Sequence, residues 1–149
     1  MSEIKLGIGY GDIQFGMERD TIKKMLGNAD EVELYSYSEE EEDLTEVWHY
    51  DELDLSLSFD EADHWKLVMI AVGDTNAHIA GEFLIDKTQE EIIAACEKSG
   101  LGVIDTEEVD EGQVLKIEEK SINFWMDEGL VSEIQFGPFW NGDDEPIFP

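Results

Sequence analysis

Three histidines, one cysteine and 38 acidic residues are the side chains of this chain that could do chemistry, and their spacing excludes most of the uses such residues have. His49, His64 and His78 share no metal-ligand spacing, and neither H-E-x-x-H nor C-x-x-C occurs. The glycine-bearing "LGIGYG" fits neither G-x-x-x-x-G-K-[ST] nor G-x-G-x-x-G, the two loops that cradle phosphates. A calcium loop needs alternating oxygen ligands with glycine in sixth place, which neither "DELDLSLSFDE" nor "NGDDE" supplies. Cys96 has no identifiable histidine neighbour and nothing nearby set to lower its pKa, so it reads as a small core hydrophobe. With no nucleophile, base and oxyanion set, the expectation is a protein without catalytic residues, cofactor or metal.

What remains is recognition, and for that the side chains must be sorted onto faces. In "LDLSLSFDE", Leu53, Leu55, Leu57 and Phe59 alternate with Asp54, Ser56 and Ser58, the period of a strand with one dry and one wet face. "EVWHYDE" precedes it and would pair as a hairpin across Asp51 and Glu52. There Val47 and His49 flank Trp48 and point to solvent. "KLVMIAVG" follows as a strand apolar on both faces, from which Leu67 and Met69 add exposed hydrophobic area unless an end segment such as "FGPFWNGDDEPIFP" covers them. "VELYSYS" supplies a further strand with Tyr35 and Tyr37. The run "SEEEED" from Ser38, with Glu39, Glu40, Glu41, Glu42 and Asp43, reads as a solvated loop that forms an acidic rim.

The same order of signals recurs. Gly11, Ile13, Phe15 and Ile22 align with Gly81, Phe83, Ile85 and Ile92, and Trp48, Tyr50, Leu55, Leu57 and Phe59 with Leu115, Ile117, Ile122, Phe124 and Met126. Ile70, Val72 and Gly73 then meet Ile134, Phe136 and Gly137. The helix of the second run has a T-x-x-E capping box at Thr88 and Glu91 and a stop at Gly100. The first starts at Glu18, a weaker cap that suits the helix dipole, and stops at Gly27. Ile22, Met25 and Leu26 form an apolar stripe, matched by Ile92, Ile93 and Cys96. The expected fold class is therefore α+β: two tandem repeats, 1–75 and 76–149, each a helix on an antiparallel meander of three to four strands. Together they build one compact domain around a sheet of about eight strands, with helices on one face and the other face in water. On that wet face the candidate partner-binding residues are His49, Ser56, Ser58, Asn123, Trp125, Tyr35 and Tyr37. Trp125 is either a binding anchor or a ring packed under a loop or the C-terminal tail.

"FGMERDTIKKMLGNADEVE" followed by "EVWHYDELDLSLSFD" resembles the G-M-x-x-x-x-[IV]-x-x-x-L-G … W-x-Y … F pattern of the β-lactamase-inhibitory-protein-like and small-lipoprotein-A-like superfamily, through Gly16, Met17, Ile22, Leu26, Gly27, Trp48, Tyr50 and Phe59. The resemblance implies two helix-plus-four-strand repeats forming a curved sheet that grips an enzyme with its concave face. In the second run Asp86 and Lys87 stand where Gly16 and Met17 do. The secreted inhibitors carry disulfides and a signal peptide, and the lipoproteins a lipid-modified cysteine. This chain shows neither pattern, which points to an intracellular relative.

Charge indicates the partner. Against 38 acidic residues stand 9 basic ones, a net charge of −29, while a 42% hydrophobic content argues for a packed globule. Such acidity steers a protein toward basic partners and excludes nucleic acid as a ligand and anionic lipid as a surface. No apolar run approaches the ~18 residues of a membrane span, and a single cysteine allows no internal disulfide, so the cytoplasm is the expected location. The functional expectation is a non-catalytic module, of immunity or inhibitor type, that clamps a basic protein such as a toxin or enzyme. The competing explanations are a DNA-charge mimic and an acidity that serves solubility or salt adaptation alone.

Overall fold

The computed structural model describes residues 3–36, 44–102, 104–109, 112–143 and 145–149. Strands β1 (Glu3–Lys5), β2 (Gly9–Tyr10) and β3 (Ile13–Gln14) lead into α1 (Arg19–Leu26), then β4 (Glu31–Ser36), β5 (Leu44–Tyr50), β6 (Leu55–Asp60) and β7 (Lys66–Val72). Strands β8 (His78–Ile79) and β9 (Glu82–Phe83) lead into α2 (Gln89–Ser99), then β10 (Asp105–Val109), β11 (Gly112–Ile117), β12 (Ile122–Asp127) and β13 (Leu130–Phe136). β14 (Phe139–Trp140) and β15 (Pro146–Ile147) close the chain as a hairpin. A 3-10 turn sits between β6 and β7 at Glu61–Asp63, and another between β11 and β12 at Glu118–Lys120.

The class is α+β. Eight antiparallel strands form one sheet in the order β10-β11-β12-β13-β7-β6-β5-β4, so the meander β4–β7 and the meander β10–β13 join edge to edge where β13 pairs with β7. Alternation in β6 and β12 sends Leu55, Leu57, Phe59, Ile122, Phe124 and Met126 to one side, where they share a buried core with Ile22 of α1 and Ile92 and Cys96 of α2. Burying this apolar face is what holds the helices on the sheet.

The helix ends behave as their residues dictate. The Thr88 side chain accepts from the Glu91 amide while Glu91 Oε1 accepts from the Thr88 amide, and Gly100 ends α2 in the left-handed conformation. Glu18 sits at the start of α1 without a side-chain cap bond.

Several expectations are corrected. The β5–β6 turn spans Asp51–Asp54 rather than two residues, because Tyr50 pairs with Leu55. Leu53 therefore lies exposed in the turn. A β-bulge opposite Ser58 and Phe59 pairs Phe59 with Leu67, so Leu67 is fully buried in the core rather than exposed, and Met69 is half-buried. Val47 lies on the open face yet is buried. In α1 Ile22 is buried while Met25 is 40% exposed. Phe83, aligned with the buried Ile13, is exposed, its ring beside that of His78.

Beside the large sheet, short strands form a second sheet of five, β3-β2-β1-β8-β9, which no sequence pattern marks. It pairs β1 parallel to β8 and adds Ile4, Tyr10, Ile13 and Ile79 to the core. The C-terminal hairpin also packs on this first segment, with Phe139 against Gly7 and Phe148 against Gly16.

Candidate functional site

The strand register places one residue from each of the eight strands in a single row across the open face: Glu31, His49, Ser56, Ala71, Gln135, Asn123, Lys116 and Asp105. Three sequence candidates, His49, Ser56 and Asn123, fall in it. Ser58 stands in the next row to one side, with Glu33, Val47 and Met69. Trp125 stands to the other side, between Val114 and Glu133. Tyr35 is exposed at the sheet edge, its hydroxyl donating to the Glu33 carboxylate. Tyr37 and the rim Glu39, Glu40, Glu41, Glu42 and Asp43 lie outside the described residues.

His49 is the centre of the first meander's share of this face. Its Nδ1 is 2.7 Å from Ser56 Oγ. Glu33 Oε1 lies 3.0 Å from Nε2, yet that nitrogen, shielded from water, makes no aligned hydrogen bond. The Glu33 oxygen thus lies close to the imidazole but off its N–H direction, unlike the aligned bond by which a catalytic triad fixes its imidazole.

Next to His49 opens a pocket of about 180 Å³, lined among others by Asp54, Ser56, Ala71, Gly73, Ser132 and Glu133. Small side chains on β7 and just after it leave the space: a Cβ on Gly73 would lie 3.0 Å from the Asp54 carboxylate. Asp54 adopts φ +51° in the turn and accepts the Gly73 amide on its backbone oxygen at 2.9 Å. Burial pushes the Glu133 carboxyl above the usual range, the Asp54 charge adds to this, and His49 opposes it. A pocket edged by the partly buried Glu133 carboxylate and the exposed Asp54 suits a cationic or hydrogen-bond-donating group. Among the described residues no three His, Cys, Asp or Glu side chains converge as a metal-binding set.

Trp125 is half-buried and tied down. Its Nε1–H donates to Gln135 Oε1 at 3.0 Å, and Asn123 Nδ2 reaches the same oxygen at 3.5 Å. Its cross-strand neighbour Val114 is 1% exposed.

No protein-family model and no curated protein matches the chain. Its fold is similar to that of a solved structure, an extracellular protein containing a SCP domain from Bacillus anthracis str. Ames, with a TM-score of 0.50 and 13% identity. The likeness covers 83% of this chain and 43% of that one, so the chain spans less than half the length of that protein. At this identity the likeness is one of fold alone. Among the described residues no helix is long and apolar enough to cross a membrane.

Glu133, Glu33 and Gln135 carry no site signal in the sequence, and Asp54, which the alternation puts on the wet face of a strand, lies in the turn before β6. Glu133 and Gln135 alternate with Ile134 and Phe136 in "SEIQF", a readable signal that they share the wet face. That Glu133 approaches Asp54 follows only from the β13–β7 pairing, which no local signal specifies.

Proposed function

We propose that the open sheet face binds a basic protein partner without catalysis, in the manner of an immunity protein or inhibitor. The observation that carries this reading is the polar row through His49, Ser56, Gln135 and Asn123, bordered by Glu33, Asp54 and Glu133 on a chain of net charge −29. Lys116, the one lysine of the row, is already engaged with Glu107, so the face offers carboxylates and hydrogen-bonding groups to an incoming cation. Trp125, oriented in advance by Gln135, supplies rigid apolar area at little entropic cost on binding. We read the two helix-plus-four-strand runs as tandem copies related to the β-lactamase-inhibitory-protein-like superfamily. The recurring element order and the edge-to-edge joining of the meanders support that. A lone cysteine, buried in the core, suits a cytoplasmic setting.

The test uses a basic partner captured from native lysate and purified. Added salt should slow its association, and Trp125→Ala should raise the dissociation rate about tenfold or more. Association indifferent to salt, together with unchanged dissociation from Trp125→Ala, overturns the reading.

A further inference from the structure

The two edges of the large sheet differ in kind. At one edge β10 carries acid on both faces: Asp105 and Glu107 on the open side, Glu108 on the side shared with Met126. At the other, β4 segregates its residues. Glu31 and Glu33 line up with His49 and Val47 on the open face. Val32 and Leu34 line up with Trp48 and Glu46 on the side that faces the core.

These two are nonetheless 56% and 60% exposed. Neither belongs to the buried core, and on the opposite edge the core-side Thr106 and Glu108 of β10 are exposed as well. Toward this edge Arg19 of α1 reaches Glu46 on β5, with Nη1 3.0 Å from Oε2. Among the described strands β4 pairs only with β5, so its outer backbone edge faces no described strand.

An edge with apolar residues on one face templates strand addition, and natural sheets blunt such edges with charge. Here the blunting is selective. A second copy of this chain would bring Glu31 and Glu33 against more carboxylates on a body of net charge −29, whereas a basic segment would meet attraction. We propose that β4 is a docking edge for an extended segment of a basic partner. The segment adds as a ninth strand, its lysines or arginines over Glu31 and Glu33 and its apolar residues over Val32 and Leu34. The basic character of the occupant rests on the function proposed above, but the place of docking does not.

The probe is a peptide of alternating lysine and valine with blocked ends, titrated into the full chain. Strand addition should slow hydrogen exchange of outward-facing amides in Glu31–Leu34 about tenfold or more. The double substitution Val32→Lys with Leu34→Lys, at exposed positions where circular dichroism should show the fold kept, should weaken peptide binding about tenfold. Unchanged exchange in β4 overturns the proposal, whether the peptide fails to bind or perturbs only His49, Asn123 and Trp125. Perturbation at those three residues would leave the open-face function standing. Association with a protein partner that is indifferent to salt, together with loss of the Trp125→Ala effect, would remove that function and leave the docking edge intact.

Discussion

Gly16 and Asp86 hold the same left-handed backbone, φ +89° and +65°, and each donates its amide to the last strand of its own meander. Gly16 N reaches Leu67 O at 2.9 Å and Asp86 N reaches Val131 O at 2.8 Å, with the bonds returned from Leu67 N to Met17 O and from Val131 N to Lys87 O. Each pair of bonds ties the lead-in of a helix to the sheet. The conformation is open to glycine, tolerated by aspartate and costly for most other residues, by about 1–2 kcal/mol. The departure of Asp86 from the glycine pattern therefore keeps the geometry.

Substitutions at the two positions should separate backbone strain from packing. Asp86→Gly should be neutral or stabilising by about 0.5 kcal/mol, since it relieves strain but loosens the unfolded chain. Gly16→Ala should cost about 2 kcal/mol or more, because strain adds to a clash: its Cβ would lie 2.8 Å from Cγ of Phe148. Urea unfolding midpoints of the two variants check both.

The helix starts offer a second contrast. Thr88→Ala removes an acceptor used by the Glu91 amide and should cost about 1 kcal/mol. Glu18, with no cap bond of its own, should gain from Glu18→Ser by a few tenths of a kcal/mol up to about 1. Denaturation of the two variants against the parent reads the difference.

How much of this was legible follows from the range of the interactions involved. Alternation in "LDLSLSF" and "INFWM" is a local pattern imposed by burial of one face, so the sheet, its dry side and the wet placement of His49, Ser56 and Asn123 could be read directly. The bulge that buries Leu67 could not, since "KLVMIAV" is apolar in either register and only the pairing with β6 decides. The small sheet was hidden because its strands are two or three residues long and β1 finds β8 far along the chain. The site divides the same way: Ser56 and His49 are hairpin neighbours, whereas Glu133 joins them only through the contact between the two meanders.

Cys96 is 1% exposed, and burial lifts its thiol pKa to about 11. The thiolate is the reactive species, so neither protonation nor access favours modification in the native protein. A thiol-reactive disulfide reagent at pH 8 should leave the folded chain untouched and titrate one thiol once denaturant is added. Rapid native labelling would show that the core under α2 opens readily.

Glu133 gives the pH dependence a definite sign. Burial is the main cause raising its folded carboxyl above the ordinary value, with Asp54 next and His49 opposing. The unfolded chain holds that carboxyl at about 4.3, so above the folded pKa the native state carries an ionised group it disfavours. The penalty is full above the raised value, fades as pH falls through it and is gone below the unfolded one. Glu133→Gln keeps the shape and removes the charge. It should therefore raise the melting temperature at pH 7, and the gain should shrink on acidification to about pH 4. A cation seated between Glu133 and Asp54 would oppose the same penalty, so the parent protein should gain more from a bound basic partner at pH 7 than Glu133→Gln does. Thermal melts of both proteins across this range, alone and in complex, measure the two effects separately. A variant no more stable than the parent at pH 7 would show that Glu133 is better solvated than its position on β13 implies.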